Sequence, residues 1–322
     1  MPSAQERTAR KADLSVGGPA LRQMLALVWR YRALYLMLLP AISWYAVYEY
    51  LPLYGLSIAF KDYRILQGIL KSPWSAPWYK HLQTLFNSPY FGTVLKNTIW
   101  ISFLKLSYGI ISSLVIALLL DECRVRWYSR AVQTLNFAPF FLSWVVVYGV
   151  FSNLFSEQSG VVSQLIKSMG ASFPSLLQST KLFRSVLVAT SVWKMAGYDA
   201  VILLAALSGV DPHLYEAARV DGANRLKMIY HISLPSIRGT IILLLILRIG
   251  TLLQAGFDQV FIFYNPRVYG VADIIDTWVY RMGLEQLNFS LAVAVGLFQS
   301  VIGFILVLSA NRLAKWWGEN IW

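Results

Sequence analysis

The chain has 322 residues, 57% of them hydrophobic and only 14% charged, with a formal net charge of +12, whereas soluble domains carry about 25% charged residues. One cysteine, Cys123, and three scattered histidines, His81, His213 and His231, exclude a disulfide framework or a zinc site built from a single chain. The composition predicts a polytopic membrane protein, so the basic surplus has to be located along the chain before it is read as a nucleic-acid footprint.

Residues 1–32 are polar and basic and lack a short apolar core followed by a small-residue cleavage site, so no removable signal peptide is expected. Within them, ALRQMLALVWRYR sets apolar residues at helical spacing beside a basic edge, as in a helix lying in the plane of the inner leaflet. Six segments then reach the ~20 apolar residues needed to cross ~30 Å of hydrocarbon: 34–58, 94–120, 131–153, 184–208, 236–257 and 289–311. None has the period-2 alternation of barrel strands, so the expected fold is all-α, a polytopic bundle of six transmembrane helices. The expected organisation is a tail at 1–32, a six-span domain at 33–312 carrying a polar loop at 211–235, and a tail at 313–322.

Alternating spans place Arg7, Arg10, Lys11, Arg22, Arg30, Arg32, Arg124, Arg126, Arg130, Arg219, Arg225, Lys227, Arg312 and Lys315 on one side. The longer loops of the other side hold Lys61, Arg64, Lys71, Lys80, Lys167, Lys181, Arg267 and Arg281. The positive-inside rule makes the first side cytoplasmic, both termini included, and leaves no surplus that calls for nucleic acid. On the outer side, KSPWSAPWYKHLQTLFNSPYF mixes Pro, Trp and Tyr in the manner of irregular chain at the headgroup boundary, and SQLIKSMGASFPSLLQSTKLF is a short, glycine-broken amphipathic stretch too short to span.

The loop DPHLYEAARVDGANRLKMIYHISLP, Asp211 to Pro235, is a polar island between two apolar runs. Asp211 followed by Pro212 is a helix start, an acceptor side chain followed by a pre-set φ. Leu214, Ala217 and Ala218 share a face on which two side chains are methyl groups, so another backbone could come close. Gly222 suits the left-handed residue that ends a helix. A second piece carries Leu226, Ile229 and Tyr230 on one face until Pro235. Two readings stand side by side: a helical loop packed on its own bundle, or a docking element for a soluble partner.

Glu216-Ala217-Ala218, three residues, Gly222, nine residues and Ile232-Ser233-Leu234-Pro235 resemble the EAA loop of bacterial ABC importer permeases without a gap. The resemblance implies the type I permease fold, with this loop forming coupling helices that sit in a cleft of an ATPase subunit. It implies that Glu216 approaches a basic group of the ATPase, that Gly222 makes the turn, and that Ala223 and Asn224 make the deepest contact, flanked by Asp221, Arg225 and Pro235. LPAISWYAVYEYLPLYGLSIAFKDY, KNTIWISF, FAPFFLSWVVVYGVF, VADIIDTWVYRMGL and SANRLAKWWGENIW are similar to the polysaccharide branch of carbohydrate permeases, importers of acidic oligosaccharides such as alginate among them. Gly197-Tyr198 departs from the Gly-Trp often found there. The resemblance implies a second permease, two ATPase subunits that carry the ATP and Mg, a periplasmic or extracellular solute-binding protein, and a place in the bacterial cytoplasmic membrane.

No catalytic constellation is visible, and the G-x-x-x-x-G-K-[ST] phosphate loop is absent from this chain. A permease needs polar groups inside the bilayer, where an ionisable side chain at a helix centre costs about 2.5 to 3.5 kcal/mol. Candidates are Arg248 in the fifth segment, Lys105 in the second, and Lys194 with Asp199 in the fourth. Trp193, Tyr198, Gln254 and Gln299 add aromatic and amide surface of the kind sugars favour. Each charge also has a plainer reading, in which Lys105 snorkels, Lys194 or Asp199 bonds across helices, and Arg248 neutralises a carboxylate of a partner. A stand-alone secondary transporter or a membrane enzyme acting on sugars are the alternatives; no internal repeat or acidic metal motif favours either.

Overall fold

A computed structural model describes residues 29–316 and Gly318. Most of the amphipathic helix expected within residues 1–32, and the end of the C-terminal tail, lie outside the described residues. The chain divides into two units, residues 1–57 and 58–322. The first carries α1 (Arg32–Tyr45), which runs without a gap into a π turn at Ala46–Tyr50 and a 3-10 stretch at Leu51–Phe60.

The second unit is built on α2 (Lys80–Asn87), α3 (Phe91–Asp121), α4 (Arg126–Phe137), α5 (Trp144–Phe155), α6 (Val161–Ser168), α7 (Phe183–Leu207), α8 (Pro212–Val220), α9 (Arg225–Met228), α10 (Arg238–Gly250), α11 (Phe257–Phe263), α12 (Ile275–Tyr280) and α13 (Phe289–Trp316). Among the described residues there is no strand, only one isolated bridge between Lys61 and Trp74. Of these helices, α3, α7 and α13 are each long and apolar enough to cross a membrane. Two more spans are possible only as bent pairs, Arg126–Phe141 with Trp144–Phe155 at 109° and Arg225–Ser236 with Arg238–Gly250 at 59°. The fold class is as the sequence predicts, but the helices are less regular than six straight rods.

The third predicted segment, 131–153, breaks where Pro139 cannot donate to the helical ladder and Ser143 accepts from the Val146 N–H at 3.3 Å to start a new helix. Lys194 of α7 repairs that break. Its ammonium donates to the Phe140 carbonyl at 2.6 Å and the Pro139 carbonyl at 3.4 Å, and lies over the Phe140 and Trp144 rings. The fifth predicted segment, 236–257, stops early. α10 ends at Gly250, a 3-10 turn follows at Leu252–Gln254, and Ala255 (φ 48°) and Gly256 (φ 82°) reverse the winding before α11 starts.

Much of residues 258–288, expected as an outer loop, packs into the interior. Val260, Phe263, Val268, Ala272 and Ile274 pack with Ile101, Phe183 and Leu187 of α3 and α7. The aromatic stretch before residue 91, expected to be irregular, contains α2 because Leu85 seats against Phe91, Ile275, Trp278 and Leu291. Buried polar groups join these pieces. Arg281 pairs with the fully buried Asp273, Asn97 donates to the Gly270 and Asp273 carbonyls, and Arg184 donates to Asn97 Oδ1 at 2.7 Å. At the surface, the Lys80 ammonium 2.8 Å from Asp62 holds that carboxyl below its ordinary value. α7 runs along α3 through Ala117, Ala200 and Leu203. It also crosses α4 so closely that a Cβ on Gly197 would lie 1.9 Å from the Asn136 carbonyl oxygen.

Candidate functional site

The polar island folds as its capping residues dictate. Asp211 accepts from the His213 N–H at 3.0 Å and Pro212 occupies the first turn of α8. Gly222 closes that helix at φ 75°, a conformation that strains any residue with a Cβ. Asn224 accepts from the Lys227 N–H at 2.9 Å and starts α9, which continues through a π turn at Ile229–Ser233 to Ser236. The two arms are tied by Tyr215 and Ser233, whose hydroxyl oxygens lie 3.0 Å apart.

Most of the island's surface has no cover among the described residues. Leu214, Val220, Leu226 and Tyr230 are all exposed, Val220 at 89%. Glu216 is also exposed and, among the described residues, meets His213 at 3.4 Å. Ala217, Asp221 and Asn224 are exposed, and Ala218 and Ala223 are half-buried. Arg225 reaches Glu122 at the end of α3, at 3.4 Å. Pro235 falls in the last turn before the 59° bend into α10.

About three turns of α10 beyond that bend, at Arg248, the chain reaches the bundle's cavity, of about 570 Å³. Its wall includes Lys105, Asp199, Arg248 and Gln254 from the sequence-based candidates. α10 and α7 bring Arg248 and Asp199 together: Nη2 donates to both carboxylate oxygens, at 2.7 and 2.6 Å. The carboxylate expected from a partner chain is thus supplied from within, since Asp199 is 4% exposed and a buried carboxylate needs such a cation. Lys105 of α3 donates to the Ala255 carbonyl at 2.7 Å, a group turned toward it by the left-handed break.

Three candidates fall elsewhere. Lys194 does not line the cavity but holds the α4–α5 break. Tyr198 stacks on Phe140, with ring centroids 4.3 Å apart at 12°, and is part of the same repair. Trp193 is 48% exposed and is not in the cavity wall. Gln299 supports the wall from behind, donating to the Leu253 carbonyl at 3.0 Å and to Asp276 Oδ1 at 2.8 Å. Sequence reasoning missed Ser102, Ser191, Asp258, Gln259 and Asp276, all of which line the cavity. Ser102 and Lys105 are i and i+3 on one helix, a spacing that could have flagged the first. Asp258, Gln259 and Asp276 were hidden by the assignment of their segment to an outer loop. Among the described residues no group of three or more His, Cys, Asp or Glu could hold a metal ion.

Residues 109–318 match the family described as "Binding-protein-dependent transport system inner membrane component". The chain is 42% identical over 306 residues to Protein LplB of Bacillus subtilis (strain 168), covering 95% of each. To the polygalacturonan/rhamnogalacturonan transport system permease protein YteP of the same organism it is 41% identical over 299 residues, covering 93% of this chain and 92% of that protein. In three dimensions it is similar to a chain in the crystal structure of a bacterial ABC transporter involved in the import of the acidic polysaccharide alginate. The TM-score there is 0.84 at 36% identity, covering 91% of this chain and 98% of the other.

Proposed function

The chain belongs to the family of binding-protein-dependent transport system inner membrane components, and from that premise we propose that it is the permease subunit through which an ABC importer passes an acidic oligosaccharide. The observation that carries the reading is mechanical. An exposed pair of helices, hinged at Gly222, continues through one bend at Ile237 into α10, and α10 presents Arg248 to a polar cavity. A partner gripping Val220, Leu226 and Tyr230 would therefore pull directly on the cavity wall. The exposure of these apolar side chains beside charges of both signs supports a protein contact over a solvated loop.

In this reading Glu216, Ala217, Ala218, Asp221, Gly222, Ala223, Asn224, Arg225 and Pro235 couple the chain to an ATPase, and the ATP and Mg sit on two such partner subunits. This chain supplies no hydrolysis of its own. A second permease completes the pathway, and a periplasmic or extracellular binding protein delivers the sugar. The chain crosses the bacterial inner membrane six times, with 34–58 as the first span and both termini and the island cytoplasmic. The acidic character of the cargo is supported by what the polygalacturonan and alginate systems above are named for.

The test is reconstitution. A tagged chain should copurify with a second permease, ATPases and a binding protein. The assembly in liposomes should accumulate short galacturonate oligosaccharides only with ATP and loaded binding protein. Isolation of the chain alone, or accumulation without ATP, contradicts the proposal.

A further inference from the structure

We propose a uronate subsite at the break between α10 and α11: Lys105, with Ser102 and Gln259 beside it, holds a carboxylate-bearing ring of the oligosaccharide. The inference rests on the importer reading and assigns its acid recognition to a place in the wall. Arg248 is the obvious cation, but it is committed. Its charge is already balanced by Asp199 through Nη2, so a substrate carboxylate at its remaining N–H groups would meet the repulsion of that neighbouring carboxylate.

Lys105 is differently placed. It forms no ion pair among the described residues, and its ammonium donates to one neutral acceptor, the Ala255 carbonyl. An ammonium carries three donors. A cation inside a membrane bundle that faces only a carbonyl is costly until an anion joins it.

Two buried polar atoms of the same wall also lack a partner among the described residues. Ser102, one turn before Lys105, has an unpaired hydroxyl. Gln259 is fully buried, and its Nε2 donates to the Leu187 carbonyl at 2.8 Å and to Thr190 Oγ1 at 2.7 Å. Only an N–H can face the Leu187 carbonyl, so the amide cannot be reversed, and Oε1 is left without a donor. A Cβ built on Gly256 would lie 3.1 Å from Lys105 Nζ and 3.9 Å from Gln259 Oε1, so both atoms border the same bare stretch of backbone. Buried polar atoms are nearly always satisfied, and here two orphans and a lysine with no ion-pair partner among the described residues share one wall.

A uronate ring fits this set. Its carboxylate accepts from Lys105 and Ser102 through charge-assisted hydrogen bonds, and a ring hydroxyl donates to Gln259 Oε1. Both orphan atoms are closed off in the conformation described, and the ligand reaches them as Lys105 moves from the Ala255 carbonyl onto the carboxylate. Asp258 and Asp276 line the same cavity, so its field is not broadly positive. The anion is met at a point, and a singly charged carboxylate is repelled less than a phosphate dianion.

The reconstituted complex tests this with two probes, trigalacturonate and its methyl ester, using the same binding protein throughout so that its own preference cancels between variants. Lys105→Met should lower the acid-to-ester uptake ratio at least tenfold relative to wild type, and Lys105→Arg should keep it within threefold. Gln259→Leu should weaken uptake of both probes by a similar factor. An unchanged ratio in Lys105→Met overturns the subsite while leaving the importer reading in place. A wild-type complex that moves neither probe with ATP overturns the importer reading itself. Should Lys105→Met fail to assemble, Lys105→Gln reads the same ratio.

Discussion

The polar island and the cavity are joined by one continuous stretch of chain, yet they are built on opposite rules. In the island, residues within four positions of each other settle the conformation: Asp211 caps α8, Gly222 ends it and Asn224 starts α9. Its outward apolar side chains, Leu214, Val220, Leu226 and Tyr230, are left exposed among the described residues. In the cavity, the defining contacts join residues 49 to 150 positions apart, as Arg248 meets Asp199 and Lys105 meets Ala255. There Arg248, Asp199 and Lys105 are engaged across helices, while Ser102 Oγ and Gln259 Oε1 have no partner among the described residues. A surface that is finished locally and unfinished outwardly suits a partner. A wall whose groups hold one another suits a conformation that must be kept until cargo or force changes it.

The sharpest way to break this contrast is Gly222→Val. The backbone at φ 75° is strained for a branched residue, and open space around the position offers no steric excuse for failure. ATP-driven uptake should fall at least a hundredfold, with loss of the ATPase from the purified complex, while the isolated chain keeps its helical circular dichroism. Full uptake in this variant would mean that the hinge transmits nothing.

On the cavity side, Arg248→Ala leaves Asp199 buried without its cation. With a third of the Arg248 side chain exposed, the cost should sit at the lower end of about 3 to 5 kcal/mol. It should appear as a lowered unfolding temperature of the complex in detergent. Arg248→Ala combined with Asp199→Asn should recover much of that loss, because the orphaned charge is gone. Equal stability of the single and double variants would show that the pair is not what fixes α10 against α7.

Lys194→Met tests whether the cavity's neighbourhood shares the wall's rule. The Phe140 carbonyl loses its charged donor, and about 1 to 3 kcal/mol of stability should go with it. Relative uptake of acidic and esterified probes should not move. A change in that preference would return Lys194 to the substrate path from which the structure removes it.

The same contrast explains what was legible in the sequence. Caps, the glycine stop and the apolar segments are short-range signals, so α8, α9, α3, α7 and α13 can be placed within a few residues. The break at Pro139 was visible only as a proline, and its repair by Lys194, 55 positions away, was legible only as a bond across helices with no partner named. The fifth segment reads as continuous because Leu252, Leu253 and Ala255 are apolar, and hydropathy is blind to the sign of φ. Residues 258–288 look like a loop because Asp258, Gln259, Asp273 and Arg281 are polar. The burial of Gln259 and Asp273 depends on partners such as Leu187, Thr190 and Asn97, which no local pattern names.

The smallest expected effect concerns the ion pair that ties the island to the end of α3, Arg225 with Glu122. Both side chains are substantially exposed, at 53% and 32%, so solvent screening limits the pair to about 0.5 kcal/mol. That contribution should fade as salt shortens the Debye length to about 3 Å at 1 M. Glu122→Gln should therefore leave uptake within twofold of wild type and shift the unfolding temperature by about a degree or less. If force passed through this contact, uptake would fall with added salt in wild type and be insensitive to salt in the variant. If it passes through the backbone from Ser236 to Arg238, neither will occur, because a covalent bend between α9 and α10 cannot be screened.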